Sequence, residues 1–485
     1  MGFILTASLM LVFWLAIDTD VLSAAHLLVV PDNPVLHPVV NAYAVPTDTA
    51  VSLTYDTALD PTTVTTHTFT VHAMETGQIL EAYSVNGGEI KVTPAQPFKP
   101  GELVQVSATT GTLSSDASAP LTPTVWQFWA EAMRGTARFA EPLQLGDLKT
   151  YGLDVGDLNG DGWLDLVFVN YSDKVNEVWL NQEAGVFTRT QVFSGANSLA
   201  VALGDLDGDS DLDAYVANRV AGNRVLLNDG MGVLSDTGQA LGGTKSYDVA
   251  LGDTDGDGDL DAVVGNHENQ NNRIWLNNGT GTFTLGQAFA GRRTLGVDLG
   301  DLDGDGDLDV FFANDQQGNT VWFNDGIGSF VNSGQSLGSR DSSEVALGDV
   351  DGDGDLDAVV ANRVAEDSVW LNDGTGSFTL DQSLGGSANT LGVALGDLDG
   401  DDDLDAFFAG QGCHTVWLNT GGMYTDSGQS LGDFCSYSVK MADFNNDGAL
   451  DLASASYRNA DRTDTYPSQI WFNGIYRVYL PLAVR

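Results

Sequence analysis

The segment Gly-Asp-Leu-Asp-Gly-Asp-Gly-Asp-Leu-Asp at 300–309 recurs with small changes through most of the chain, and its period restricts the fold more than any other feature. Counted from the first aspartate, the copies begin at Asp157, Asp205, Asp253, Asp301, Asp349, Asp397 and Asp443, giving five steps of 48 residues and a last step of 46. A short apolar stretch such as Val249-Ala250-Leu251 precedes each copy and another such as Ala262-Val263-Val264 follows it, and both read as strands. A third strand carries Trp179, Trp275, Trp322, Trp370, Trp417 and Trp471, with Leu226 in the second copy, and runs on into Leu-Asn or a close variant. A glycine turn such as Asp373-Gly374-Thr375-Gly376-Ser377-Phe378 then leads to a fourth strand. Four short strands in a repeat of this length describe one blade of a β-propeller, so the expected fold is all-β with seven blades over 135–474.

The seventh copy stops at Trp471-Phe472-Asn473-Gly474, before its outer strand. Gly135-Thr136-Ala137-Arg138-Phe139 has the form of the missing piece, and the expectation is that this segment supplies the seventh blade's outer strand, pairs N-terminal with C-terminal chain and leaves no open edge. Residues 33–131 alternate apolar and polar positions between Pro, Gly and Asn turns, as in Val51-Ser52-Leu53-Thr54-Tyr55, which predicts a β-sandwich. Phe3 to Ile17 is an uncharged apolar run followed by Ser23-Ala24-Ala25, the pattern of a signal peptide over 1–25 that is either cleaved or kept as an anchor. Residues 475–485 form a C-terminal tail.

Within each repeat the loop places oxygen-bearing side chains at positions one, three, five and nine, with glycine usually at six. The candidate metal ligands are Asp157, Asn159, Asp161 and Asp165 in loop one; Asp205, Asp207, Asp209 and Asp213 in loop two; and Asp253, Asp255, Asp257 and Asp261 in loop three. Loop four offers Asp301, Asp303, Asp305 and Asp309, and loop five Asp349, Asp351, Asp353 and Asp357. Loops six and seven offer Asp397, Asp399, Asp401 and Asp405, and Asp443, Asn445, Asp447 and Asp451. Hard oxygen ligands at alternating positions on a tightly curled backbone suit Ca²⁺, up to seven ions in all. An EF-hand needs Glu at position twelve, where these loops have strand residues such as Phe168, Val264 and Ser454, so the site is strand-loop-strand. Ser210 and Asp402 replace the glycine at position six, making loops two and six the expected weak sites.

The repeats resemble the FG-GAP and VCBS repeats of integrin α-subunit heads and of many bacterial surface proteins. Ala58-Leu59-Asp60-Pro61, Val92-Thr93-Pro94 and Trp126-Gln127-Phe128 resemble bacterial Ig-like domains of the S-layer type. The resemblance implies an integrin-α-like propeller behind an Ig-like domain.

With 20 Lys and Arg against 67 Asp and Glu, the formal charge is -47, which excludes nucleic acid and anionic membrane surfaces as partners. Seven divalent ions would offset about 14 of those charges, leaving an acidic protein suited to calcium-rich or salty surroundings. No segment after the first 25 residues is long and apolar enough to span a membrane.

In a propeller the turns between strands one and two share one face, here the metal face. The loops after strand two, which vary between copies, share the other and are the expected site of a glycan or protein ligand. Within the ring the only histidines, His267 and His414, fall in these variable loops, and Glu268 beside His267 is the one candidate acid-base partner. The expected function is therefore a secreted or cell-surface calcium-binding adhesion module, monomeric and not an enzyme. A propeller-based lyase or glycosidase, or a structural spacer, is the alternative. Cys413 and Cys435 fall in neighbouring loops on the ligand face and are expected to form a disulfide.

Overall fold

The computed structural model describes residues 34–115, 117, 123–171, 175–243, 245–268, 270–338, 341–385, 389–432, 434–459 and 467–475. Residues 1–25, expected to be a signal peptide, and the tail beyond Ile475 lie outside them. Among the described residues, no helix is long and apolar enough to cross a membrane.

Period-two burial builds the N-terminal unit: along Val51–Thr54, Val51 and Leu53 are buried while Thr54 faces solvent. One sheet takes the order Val35–His37, Val51–Thr54, Glu89–Val92, Ser84–Asn86. The second runs Ala42–Val45, Thr124–Ala130, Leu103–Ala108, Phe69–Ala73, Gly77–Gln78. Leu53, Phe69, Val71, Ile90, Val104, Val106, Trp126 and Phe128 fill the space between them, which makes the unit an Ig-like sandwich.

Six successive four-stranded antiparallel sheets follow, beginning with the inner strands Thr150–Gly156, Ser198–Gly204, Ser246–Gly252, Thr294–Gly300, Ser342–Gly348 and Thr390–Gly396. The second strand of each blade, such as Asp261–Asn266, is buried at every residue because neighbouring blades cover both its faces. Between blades two and three, for example, Leu206, Tyr215 and Ala217 pack on Val249, Leu251, Ala262 and Val264.

The seventh sheet joins the two ends of the ring. Phe434–Ala442, Asp451–Asn459 and Ser468–Trp471 come from the C-terminal side, and Leu143–Leu145 pairs antiparallel with Ser468–Trp471 as the outer strand. The expected outer strand, Gly135–Phe139, instead forms a separate two-stranded pairing with Asn473–Ile475, so the closure between the chain's two sides holds but the outer strand lies a few residues later, at Leu143–Leu145. Gln429 of blade six accepts from the backbone N–H of Phe139 at 3.3 Å, as Gln335 accepts from Phe378 and Gln287 from Phe330 in complete blades.

Cys413 and Cys435 are not joined by a disulfide, which corrects the expectation above. A backbone bridge sets Gln411, not Cys413, opposite Cys435. Cys413 therefore sits beyond the paired position, exposed, while Cys435 is buried in its strand. A second correction concerns His414. It opens the strand His414–Leu418 and is completely buried, flanked edge-on by Phe407 and Trp471, with Nε2 3.2 Å from Ser436 Oγ. Burial pushes its imidazole down to about 4, so it fills the core as a neutral side chain.

Closure predicts an asymmetry between truncations. Removing residues 1–131 leaves every strand of blade seven in place. Removing 1–145 strips both N-terminal strands and exposes the edge of Ser468–Trp471, whose residues are all buried in the intact chain. Gel filtration in calcium is expected to give a monodisperse first variant and an aggregated second one; equal behaviour contradicts closure by these strands.

Candidate functional site

Position nine of each loop is the first residue of the blade's second strand, and its carboxylate is buried with both oxygens engaged. In loop four, Asp309 Oδ1 accepts from the N–H of Asn324 at 2.8 Å and Oδ2 from that of Leu302 at 3.0 Å. Asp165, Asp213, Asp261, Asp357, Asp405 and Asp451 repeat both bonds. Position one binds the loop's own turn, with Asp301 Oδ1 and Oδ2 accepting from the N–H groups of Gly304 and Gly306. Position five caps the next turn, as Asp305 does for Asp307. The sharp bend falls at position six, where Gly258 has φ +96°. Ser210 and Asp402 hold the same bend at φ 77° and 70°, a conformation that costs a side-chain-bearing residue about 1 kcal/mol or more.

Position three faces the carboxylates of positions one and nine. Asp205, Asp207 and Asp213 bring one oxygen each within 4.8 Å of one another, as do Asp253, Asp255 and Asp261; Asp301, Asp303 and Asp309; and Asp397, Asp399 and Asp405. In loop five the converging set is Asp349, Asp351 and Asp353. Oδ1 of Asp207, Asp255, Asp303 and Asp399 is buried with no hydrogen-bond partner. A buried, unpaired carboxylate oxygen costs several kcal/mol unless a cation meets it, so these four loops fit a hard divalent ion. Burial, reinforced by the neighbouring loop carboxylates, pushes the position-nine carboxyls up to about 8 at Asp165, Asp213, Asp405 and Asp451 and about 9 at Asp309.

Loops two and six, expected to be weak, keep their converging triads. In loops one and seven an amide changes the chemistry: Asn159 Nδ2 donates to Asp161 at 2.9 Å and Asn445 Nδ2 to Asp451 at 3.1 Å.

Two features of this face were not legible in the loops alone. The asparagine after strand three of each blade reaches into the acidic loop of the preceding blade. Asn324 Nδ2 donates to the carbonyl of Thr254 at 2.8 Å, Asn372 to Leu302, Asn419 to Val350, Asn473 to Leu398, Asn228 to Leu158 and Asn277 to Leu206. Asn181 of blade one donates to Phe444 of blade seven at 2.8 Å and completes the circuit.

The second feature is that the Ig-like domain lies on the face of the acidic loops. His72 Nε2 is 3.0 Å from the Gly258 carbonyl, Lys99 Nζ donates to that of Gly162 and the Val125 N–H to that of Gly306. Met133, in the connector, donates to Gly448, and Tyr43 Oη accepts from the Asp397 N–H at 2.9 Å. Loop five has no such contact among the described residues.

The central channel contains a cavity of about 610 Å³ that the Ig-like domain covers at the metal end through Tyr43, Glu75 and Trp129. Inside it Lys440 pairs with Asp154 at 2.8 Å near Asp248, Asp298 and Glu344. At the opposite mouth His267 Nε2 meets Asp315 Oδ2 at 3.1 Å, and Arg293 reaches the same oxygen at 2.6 Å. Burial opposes ionisation of Asp315, but the His267 bond and the charges of Arg293 and Arg363 hold its carboxyl below the ordinary value. His267 thus pairs with the next blade's aspartate rather than with Glu268, which is exposed and bonded to Lys245 at 2.9 Å.

Fold and loops together define a β-propeller with acidic strand-loop-strand sites. The model of the FG-GAP-like repeat matches residues 157–216, 205–264, 253–312, 301–360 and 349–408, and the chain belongs to this family. The model of a bacterial Ig-like domain matches residues 32–129. A search of curated proteins gave no match. Among solved structures the chain is similar to the BBS1N chain crystallised in complex with ARL6DN, at 12% identity and TM-score 0.47 over 70% of this chain and 97% of that one. It is also similar to Saccharomyces cerevisiae Sqt1, at 8% identity and TM-score 0.47 over 71% and 100%.

Position three and position nine are expected to respond differently to substitution. Asp303→Asn removes a charge that no protein group meets, so it should lower the melting temperature in calcium and leave it unchanged or raised in calcium-free buffer. Asp309→Asn disrupts an oxygen that accepts a backbone N–H and should cost about 1–3 kcal/mol in both conditions. Thermal melts of the two variants in both buffers check this, and matching responses would contradict the division of labour.

Proposed function

We propose that the protein is a secreted or cell-surface propeller that binds Ca²⁺ at its acidic loops and holds a glycan or protein ligand at the opposite mouth. The carrying observation is the set of buried, partnerless oxygens on Asp207, Asp255, Asp303 and Asp399, each facing two further carboxylates. Ca²⁺ suits such a set because it takes several oxygens at flexible geometry. The ions would brace the face on which the Ig-like domain rests, leaving the mouth at Tyr247, His267, Arg293 and Arg363 open to a ligand. Binding is favoured over catalysis because the two carboxylates beside His267 are already committed, Asp315 to Arg293 and His267 and Glu268 to Lys245. An acid-base pair needs a carboxyl free to exchange its proton with a substrate.

Calcium should therefore appear as folding free energy, because the sites do not exist in the unfolded chain. Removing it is expected to lower the melting temperature by about 10 °C or more. The calcium-free protein should also respond to pH in a defined direction. Carboxyls near 8 in the native chain, against an ordinary 3.8, bind more protons when folded. Their stabilisation is complete below the unfolded value and is lost as pH rises through the folded one, so the calcium-free protein should weaken from about pH 5 to pH 8. Melting curves across that range with and without calcium test both statements; identical curves would overturn the calcium reading.

A further inference from the structure

Building on a ligand-binding mouth, we infer that the ligand class is an acidic saccharide, with a hexuronate carboxylate taken by Arg363 and its sugar ring set toward a wall of tyrosines. In a chain of net charge -47, positive charge gathers around this opening. Arg219, Lys245, Arg292, Arg293 and Arg363 surround it, facing Glu268, Asp315, Asp341 and Glu366. The mouth thus gathers cations among its carboxylates, while the repeated acidic loops lie on the opposite face, so a carboxylate reaching Arg363 from this side does not pass those loops.

The two walls differ in chemistry. Blades one and seven supply Tyr151 and Tyr437, stacked with centroids 4.0 Å apart and planes at 18°, with Tyr457 edge-on to both. Blades three to five supply Tyr247, His267, Arg293, Asp315 and Arg363. Asp315 holds Arg293 at 2.6 Å but stands 4.0 Å from the nearest Arg363 nitrogen. The Arg363 guanidinium makes no hydrogen bond to any described residue, and its side chain is 36% exposed, so its planar fork of donors is available to a carboxylate. His267, only 8% exposed, leaves Nδ1 buried without a partner at the same wall.

A hydroxylated ring carrying one carboxylate uses both walls, its apolar face against tyrosine and its charge at the guanidinium. An acidic peptide side chain uses only the second. The cavity of about 610 Å³ lies within the usual range of small-molecule sites.

Calorimetric titration of the full chain in saturating calcium tests this with short oligomers of galacturonic acid, the same oligomers reduced to neutral sugars, and an acidic peptide. The acidic oligomers are expected to bind, the reduced ones to bind about tenfold more weakly or worse, and Arg363→Ala to cost the acidic series a similar factor. Arg363→Lys should restore only part of it, since an ammonium lacks the two-pronged geometry. Because the Arg363 guanidinium makes no hydrogen bond to any described residue, the Ala variant should melt like the parent in calcium, which separates lost recognition from misfolding. Equal affinity for acidic and reduced oligomers, or an unaffected Arg363→Ala, overturns the acidic-saccharide inference while leaving a glycan-binding propeller standing. Binding of the peptide alone overturns it in favour of a protein ligand, and binding of none of the probes overturns the ligand-binding reading with it.

Discussion

The buried aspartate that begins the second strand of every blade is the point from which the rest of the structure is organised. Asp309 and its six equivalents accept from the loop's second residue and from the asparagine after strand three, so one carboxylate fixes the loop, the strand and the site together. That asparagine then donates to the acidic loop of the preceding blade, seven times around. Each acidic loop is consequently part of two blades. An ion bound there would brace a joint between neighbours, and for that reason the sites and the fold are expected to melt as one unit.

Charge separation follows from the same arrangement. The repeated carboxylates lie in the turns between strands one and two, which places them on one face, and the Ig-like domain rests on that face in part through backbone carbonyls at position six. The carbonyls of Gly162, Gly258 and Gly306 serve in this way, and that of Gly448 holds the connector at Met133. Position six therefore has two roles, the bend of the loop and the seat of the neighbouring domain. The mouth at the other end of the channel keeps the arginines and tyrosines.

Much of this was legible in the sequence, because a repeat of 48 residues states its architecture many times over. The seven loops, the strands around them and an N-terminal β-sandwich could be read from spacing and alternation, and the sandwich's Ig-like character from its resemblance to bacterial Ig-like domains. What escaped was whatever depends on one blade meeting another. The asparagine of Trp-Leu-Asn looks like an ordinary turn residue until the preceding blade's carbonyl stands 2.8 Å away. Asp315 and Arg363 lie in separate repeats, and nothing local marks them as neighbours of His267. His414 looked like a loop residue because Gly412 and Cys413 precede it, yet the short connection sends it straight into a buried strand. The disulfide failed for a similar reason: adjacency of two loops does not set register, and a shift of two residues puts Gln411 where Cys413 was expected.

The central claim is that the acidic loops are calcium sites, and the most direct test is to count ions. The full chain would be equilibrated in calcium, passed into calcium-free buffer and analysed by atomic emission against protein concentration. Five loops have converging carboxylates and two more carry an amide in their place, so the expected content is between five and seven calcium ions per chain. A content of one ion or none would show that the repeated carboxylates are structural turns and contradict the account.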